Sequence, residues 1–257
     1  MNLVIYEVKD RIGYITLNRP EKRNALSFEL VSELKTAFEQ AENDPLVKVV
    51  ILNANGDSFC AGADLAYLQN LQQFSYEQNL EDSNHLKDLF YQIYTLKKVV
   101  IAQVQGHALA GGCGLATVCD FAFAVPEAKM GYTEVKIGFI PAIVMIFLIR
   151  KIGEQKAKHL LLSGELITAE AAERWNLINQ VINKDQLQPF VYEFAQKLIQ
   201  NNSTQSMEVT KQMIASVQSL PLEEALQHAS RMNAQARGTE DCKKGIAAFL
   251  NKQDLRW

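Results

Sequence analysis

An α/β fold that gives way to a purely helical C-terminal region is the class this 257-residue sequence predicts. Three observations carry that prediction. Short apolar, β-branched runs alternate with segments of helical period through the first two thirds of the chain, glycine-containing joints follow two of those runs, and helical periodicity dominates from Thr168 onward. The chain is long enough to bury a sizeable core, as one large domain or as a core with an appendage, and no linker divides it.

Each element has its own signal. Leu3 to Val8 and Gly13 to Leu17 alternate apolar and polar residues across a polar turn at Lys9-Asp10, the pattern of an antiparallel hairpin. Ser27 is placed to cap a helix running to about Asn43, because Val31, Leu34, Phe38 and Ala41 recur at helical spacing. Val47 to Leu52 reads as a strand, Leu80 to Lys98 as a helix leading into the strand Val99 to Val104, and Asp120 to Val125 as a further short strand. Beyond Thr168 one strand is expected at Leu177 to Ile182. The tail from Ser203 to Leu250 is amphipathic over most of its length, through Val209, Met213 and Val217 and then Leu222, Leu226 and Met232. Such helices need a partner surface, either their own core or another copy.

Composition narrows the functional classes. Hydrophobic residues make up 48% of the chain and the formal charge is −3, so there is no electrostatic footprint for nucleic acid or an acidic membrane. The N-terminal residues show no basic region followed by an apolar signal core, and no apolar span is long enough to cross a bilayer, which implies a cytoplasmic protein with no membrane partner. Cys60, Cys113, Cys119 and Cys242 form no CxxC pair, and the four histidines are dispersed, so neither disulfides nor a metal site is expected. His107 alone stands beside a segment of interest.

That segment, Gly106 to Asp120, carries the most information. Gly111 and Gly112 follow the Val99 to Val104 strand and open an apolar helix, so unpaired N–H groups and the positive end of the helix dipole converge where a carbonyl oxygen gaining negative charge could be held. Tight packing of a strand–glycine–helix joint is the plainer reading of this motif alone. A second loop shares its logic. Ser58-Phe-Cys-Ala-Gly-Ala-Asp-Leu65 also follows a strand, places small residues where backbone can approach a ligand, and ends in an Asp at a helix start. Two such loops could supply two facing amides.

With Asn18-Arg-Pro-Glu-Lys-Arg-Asn-Ala-Leu26, then Phe-Cys-Ala-Gly-Ala-Asp-Leu, then the Gly-Gly-Cys segment, in this order, the chain resembles the enoyl-CoA hydratase/isomerase (crotonase) family over essentially its whole length. The resemblance implies a spiral core of ββα units across residues 1–195 and a C-terminal helical region, 196–257, that builds trimers or dimers of trimers. It also implies that coenzyme A enters as part of the substrate, with no further cofactor. The two amides that hold the thioester oxygen match Ala63 and Gly111. Coenzyme A contacts are carried over to Lys22, Arg23 and Ala25, to Ala61, Gly62, Asp64 and Leu65, to Gly112, and to the C-terminal pair Phe249 and Lys252, which in the family reaches a neighbouring subunit's nucleotide. Lys22 and Arg23 read equally well as solvated surface charges. Ala66 stands where many family members carry a phosphate-binding Lys.

The chain departs from the family's two-glutamate hydratase pattern. Gly114 occupies the first glutamate position, and the second is Glu134, within Met130-Gly-Tyr-Thr-Glu-Val-Lys-Ile-Gly-Phe-Ile-Pro141. Glu134 is therefore the expected general acid/base, with Gly114 facing the site and the Tyr132 hydroxyl as a candidate for positioning a water. An isomerase needs one base, and a hydratase could use one carboxylate twice. Gly-x-Gly-Leu in the glycine helix, paired with Ile140-Pro-Ala-Ile143, is similar to a bacterial methylglutaconyl-CoA hydratase-like subgroup, which favours hydration of a short or branched, carboxylated enoyl-CoA. A Δ3,Δ2-enoyl-CoA isomerase is the alternative. A catalytically idle acyl-CoA or RNA-binding homologue is disfavoured by the retained Glu134 and the lack of a basic patch.

Overall fold

The computed structural model describes residues 2–257. Strands β1 (Val4–Lys9) and β2 (Ile12–Leu17) form the expected hairpin, with Val4 opposite Leu17 and Lys9 opposite Ile12. Both turn residues, Asp10 and Arg11, have positive φ (52° and 66°), which lets the turn twist with its strands. Ser27 caps α1 (Phe28–Asn43) by accepting from the Leu30 N–H, and Leu30, Leu34, Phe38 and Ala41 bury one helical face.

Three repeats of strand, strand and helix follow. The first is β3 (Val49–Ala54) and β4 (Ser58–Cys60) with α2 (Leu65–Leu71) and α3 (Tyr76–Thr95). The second is β5 (Val99–Val104) and β6 (His107–Leu109) with α4 (Gly111–Val118). The third is β7 (Phe121–Ala124) and β8 (Lys129–Gly131) with α5 (Ala142–Ile152) and α6 (Glu154–Ser163). The chain then runs through β9 (Leu166–Thr168), α7 (Ala169–Arg174), β10 (Gln180–Val181) and α8 (Lys184–Asn201). It ends in α9 (Thr204–Val217), α10 (Leu222–Arg237) and α11 (Glu240–Leu250).

The first strand of each repeat joins a six-stranded sheet ordered β1-β2-β3-β5-β7-β10, and the second joins a four-stranded sheet ordered β4-β6-β8-β9. Between successive repeats all these pairings are parallel. Each repeat thus advances one strand in both sheets at once, which is the ββα spiral. The central strands Val49–Leu52 and Val99–Ala102 are buried throughout, as parallel strands covered on both faces must be. Because β4, β6 and β8 pair side by side, the segments that leave them (Ala61–Asp64, Ala110–Gly112 and Tyr132–Glu134) emerge along one edge of the small sheet.

Several boundaries differ from expectation. Helix α3 starts at Tyr76 rather than Leu80, because Ser75 and Gln78 form a reciprocal capping box. The strand expected at Leu177 to Ile182 shrinks to Gln180–Val181, since the N–H groups of Leu177 and Ile178 are held by the Ala172 carbonyl in a turn. Helix α5 lies in a stretch for which no element was expected; eight consecutive apolar residues hide its period, and Val144, Leu148 and Ile152 mark its buried face. The division at residue 195 falls inside α8, whose buried Leu187, Val191, Ala195 and Ile199 continue one stripe through that point.

The tail is fastened through α9. Buried Lys211 donates to the Ile93 and Lys98 carbonyls and lies 2.7 Å from the Asp120 carboxylate. Beyond it, α10 has no buried residue, and Leu222, Leu226, Ile246, Phe249 and Leu250 are exposed. No helix among the described residues is long and apolar enough to cross a membrane.

Candidate active site

The two glycine loops lie against each other. Leu26 pairs with Ala63 as an isolated parallel bridge: its N–H donates to the Gly62 carbonyl at 2.7 Å, and the Asp64 N–H donates to the Leu26 carbonyl at 2.9 Å. Extended backbone alternates its polar groups from side to side, so the Ala63 N–H points away from Leu26 and donates to no described residue. On the facing loop the first intrahelical bond of α4 runs from the Gly114 N–H to the Ala110 carbonyl, which leaves the amides of Gly111 and Gly112 among the helix's orphan donors.

Close approach demands these glycines. A Cβ on Gly112 would stand 2.2 Å from the Cys60 carbonyl oxygen, and one on Gly62 would stand 2.8 Å from the Ala110 Cβ and 3.7 Å from the Gly111 nitrogen. Ala110, which precedes the helix, has φ 50° and ψ −125°, a conformation an L-residue rarely adopts. Its strain, of order 1–3 kcal/mol, is the kind the surrounding structure must enforce. Here the Ala110 N–H is bound to the Gly131 carbonyl at 2.8 Å and its own carbonyl is bound by Gly114. The result is two unpaired backbone donors, Ala63 and Gly111, on adjoining loops, with the positive end of α4 behind the second.

Glu134 begins a 3-10 turn, Glu134–Ile137, closed by the left-handed Gly138. One carboxylate oxygen, Oε2, is buried without a hydrogen-bond partner. Burial raises the carboxyl above its ordinary range, although its own backbone N–H pulls the other way. Burial, and to a much smaller degree the Glu134 carboxylate, push up the thiol of Cys113 in the first turn of α4, so the carboxylate lies within electrostatic reach of that turn. A partly desolvated, underbonded carboxylate is suited to exchanging a proton.

Two expectations are corrected here. Gly114 does not face an open site: a Cβ there would meet Val144 Cγ1 at 2.4 Å and the Phe90 ring at 2.9 Å, so apolar side chains from α5 and α3 fill the space a second glutamate would take. The Tyr132 hydroxyl is not available to position a water. Tyr132 is fully buried, and its oxygen lies 2.8 Å from Thr117 Oγ1 on α4.

The coenzyme A candidates fall into two groups. Lys22 and Arg23 are exposed on and beside the 3-10 turn Pro20–Lys22, Ala25 is buried beneath them, and Ala61, Gly62 and Ala63 line the facing loop. The Arg23 carbonyl accepts from the Ala61 N–H at 3.0 Å, so the two segments travel together. Asp64 caps α2 by accepting from the Ala66 and Tyr67 N–H groups, and Leu65 opens that helix. Phe249 and Lys252, by contrast, are exposed at the end of α11, and the chain terminus is tied to Gln200 and Arg11 rather than to this site.

Three supporting residues escaped the sequence reading. Asn24 is fully buried with φ 54°; its side chain accepts from the Arg19 N–H and donates to the Asn55 and Ser58 carbonyls. Arg19 Nη1 lies 2.7 Å from the Asp64 carboxylate. Half-buried Lys151 donates to the Thr117 and Cys119 carbonyls, satisfying the C-terminal end of α4. Asn24 lay in the Asn18–Leu26 motif without a role of its own, and Lys151 had no signal. His107 turns out to be structural, its Nδ1 accepting from the Lys129 N–H across the small sheet. Burial pushes Cys60 up to about 12, Cys113 to about 11 and Cys119 to about 12, which keeps these thiols protonated at neutral pH.

Two open clefts of about 450 and 420 Å³ lie elsewhere, the first lined by residues including Tyr14, Gln103 and Tyr192, the second by residues including Lys35, His85 and Asp88. Neither is lined by any candidate catalytic residue.

Comparison with known proteins accords with this geometry. Residues 7–257 match the family model described as enoyl-CoA hydratase/isomerase. A putative enoyl-CoA hydratase of Thermus thermophilus is 39% identical over 249 residues, covering 97% of this chain and 98% of that one. The 2,3-dehydroadipyl-CoA hydratase of Escherichia coli is 32% identical over 254 residues, covering 98% and 97%. The crystal structure of a putative enoyl-CoA hydratase/isomerase (crotonase) from Legionella pneumophila superimposes with a TM-score of 0.89 at 37% identity, covering 98% of each chain.

Proposed function

The chain belongs to the enoyl-CoA hydratase/isomerase family, and from that premise we propose that it adds water to an enoyl-CoA thioester with Glu134 as its single acid/base. The observation that carries this reading is the buried, unpartnered Glu134 Oε2 at the end of the small sheet from which the Ala63 and Gly111 segments also emerge. The Ala63 and Gly111 N–H groups donate to the thioester oxygen, each contributing roughly 2.7–4 kcal/mol as that oxygen gains charge. Glu134 takes a proton from water as its oxygen bonds to the β-carbon. The electron pair of the double bond moves into the enolate, and the same carboxyl then returns a proton to the α-carbon.

The substrate is proposed to be short or branched and carboxylated, in the manner of methylglutaconyl-CoA. The pairing of Gly112-Cys-Gly-Leu115 with Ile140-Pro-Ala-Ile143 supports this, as does a relative named for hydration of a dehydroadipyl thioester. The exposed apolar residues of α10 and α11 support assembly of this chain into a trimer or a dimer of trimers, with Phe249 and Lys252 reaching a neighbouring copy's nucleotide. Light scattering after size exclusion tests that assembly.

The filled space at Gly114 favours a second reading, since one carboxylate suffices for a Δ3,Δ2-enoyl-CoA isomerase. A panel of 2-enoyl- and 3-enoyl-CoA thioesters followed in the ultraviolet separates the two. Loss of conjugated absorbance from a 2-enoyl substrate marks the hydratase; absorbance gained only from 3-enoyl substrates marks the isomerase and refutes hydration.

A further inference from the structure

An acidic side chain stands where the proposed reaction least tolerates one. Asp64 adjoins Ala63, whose amide is assigned to the thioester oxygen, and a bare carboxylate there opposes negative charge building on that oxygen. Capping α2 does not require the charge, because Asn caps a helix as well as Asp does. The Asp64 carboxylate is nonetheless buried, and it is met by Arg19 Nη1 at 2.7 Å from the facing loop.

Arg19 is itself held firmly. Its N–H donates to Asn24 Oδ1 at 2.8 Å, and the same Nη1 donates to the Ala25 carbonyl at 3.3 Å. Asn24 in turn is fixed by the Asn55 and Ser58 carbonyls. Glu29 also lies within electrostatic reach of both Arg19 and Asp64, so one guanidinium serves two carboxylates.

Resting on the thioester reading above, we propose that Arg19 is a positioning residue that silences the charge of Asp64, allowing the α2 cap to sit beside the Ala63 amide without opposing the oxyanion. Arg19 touches neither substrate nor reacting atoms; it acts through Asp64. Burial alone pushes Asp64 upward, and the Tyr67 and Ala66 N–H groups together with Arg19 outweigh it, so the carboxylate stays ionised and needs its counter-charge throughout catalysis.

The test is a charge-rescue cycle in the full chain, with crotonyl-CoA as probe. Arg19→Gln, which leaves Asp64 charged, is expected to lower kcat about 10- to 100-fold while KM stays within about threefold. Arg19→Lys is expected to recover most of that loss. The deciding variant is Arg19→Gln/Asp64→Asn, which removes both charges and keeps the cap. It should run at least about tenfold faster than Arg19→Gln. A double variant no faster than Arg19→Gln overturns the proposal, because a merely structural tie would lose as much or more when both ends are cut. Should Arg19→Gln be too unstable to assay, Arg19→Ala and Arg19→Ala/Asp64→Asn take its place, and a double variant no faster than that single variant refutes the role. Wild-type protein inactive on every thioester tested would instead refute the underlying reading.

Discussion

Thr117 Oγ1 lies 2.8 Å from the Tyr132 hydroxyl, with both side chains buried. Thr117 is on α4, the helix that presents the Gly111 amide, and Tyr132 is two residues before Glu134. The contact therefore couples the proposed oxyanion donor to the proposed base through one hydrogen bond. Tyr132→Phe keeps the ring and removes the bond. We expect a stability loss of about 0.5–1.5 kcal/mol in urea denaturation, together with a fall in kcat and little change in KM. A variant indistinguishable from wild type in both measurements would show that the bond positions nothing.

Glu134→Gln is expected to reduce turnover by about 10²–10⁴ while leaving binding of a saturated acyl-CoA nearly intact. Full activity in this variant removes Glu134 as the acid/base.

Stability should respond to the same substitution with a defined pH dependence. Because burial raises the Glu134 carboxyl in the folded chain, ionising it costs stability as pH rises through its folded value. Gln carries no such cost. The variant should melt higher than wild type at neutral pH, with the advantage fading as pH falls below the ordinary carboxylate range. Calorimetry across pH checks this, and an advantage that grows on acidification contradicts it. In the wild type, the acidic limb of the kcat/KM profile should lie above the ordinary carboxylate value.

Gly111→Pro removes the amide donor at a helix position where proline is tolerated, and its Cβ meets only the movable end of Leu26. Activity should fall by about 10²–10³, with circular dichroism unchanged. A folded, fully active variant would refute the Gly111 assignment.

Gly114 now predicts a packing effect. Gly114→Ala forces its methyl into Val144 and Phe90, at an expected cost of about 1–3 kcal/mol. Adding Val144→Ala should recover part of that cost. Chemical denaturation of the two variants and the double measures the coupling, and simple additivity would mean the two positions do not share space.

Local pattern made much of this protein legible. The hairpin, the Ser27 cap, the alternation of strand and helix, and the glycines at the two joints all follow from rules that act within a few residues. Glu134 was legible as a candidate base, through its motif. Helix α5 was not, because a continuous apolar run carries no period, and neither was the true start of α3, whose Ser75–Gln78 box lay within an unassigned stretch.

What the sequence by itself determined was the class of fold, the alternation of strand and helix, and the residue types proposed to hold a thioester oxygen and move a proton. What only the tertiary structure decided was which groups face one another. Gly114 marked a missing glutamate in the chain, yet in space it is the point where Val144 and Phe90 close on α4. Tyr132 offered a hydroxyl, but burial commits it to Thr117. Arg19 and Asp64 lie far apart in sequence and become an ion pair because the bridge between Leu26 and Ala63 lays their loops side by side. Periodicity and capping are written along the backbone, where neighbours in sequence are neighbours in space. Burial, and the pairing or stranding of a polar group, depend on segments brought from elsewhere in the chain, and so exist only once the fold has closed.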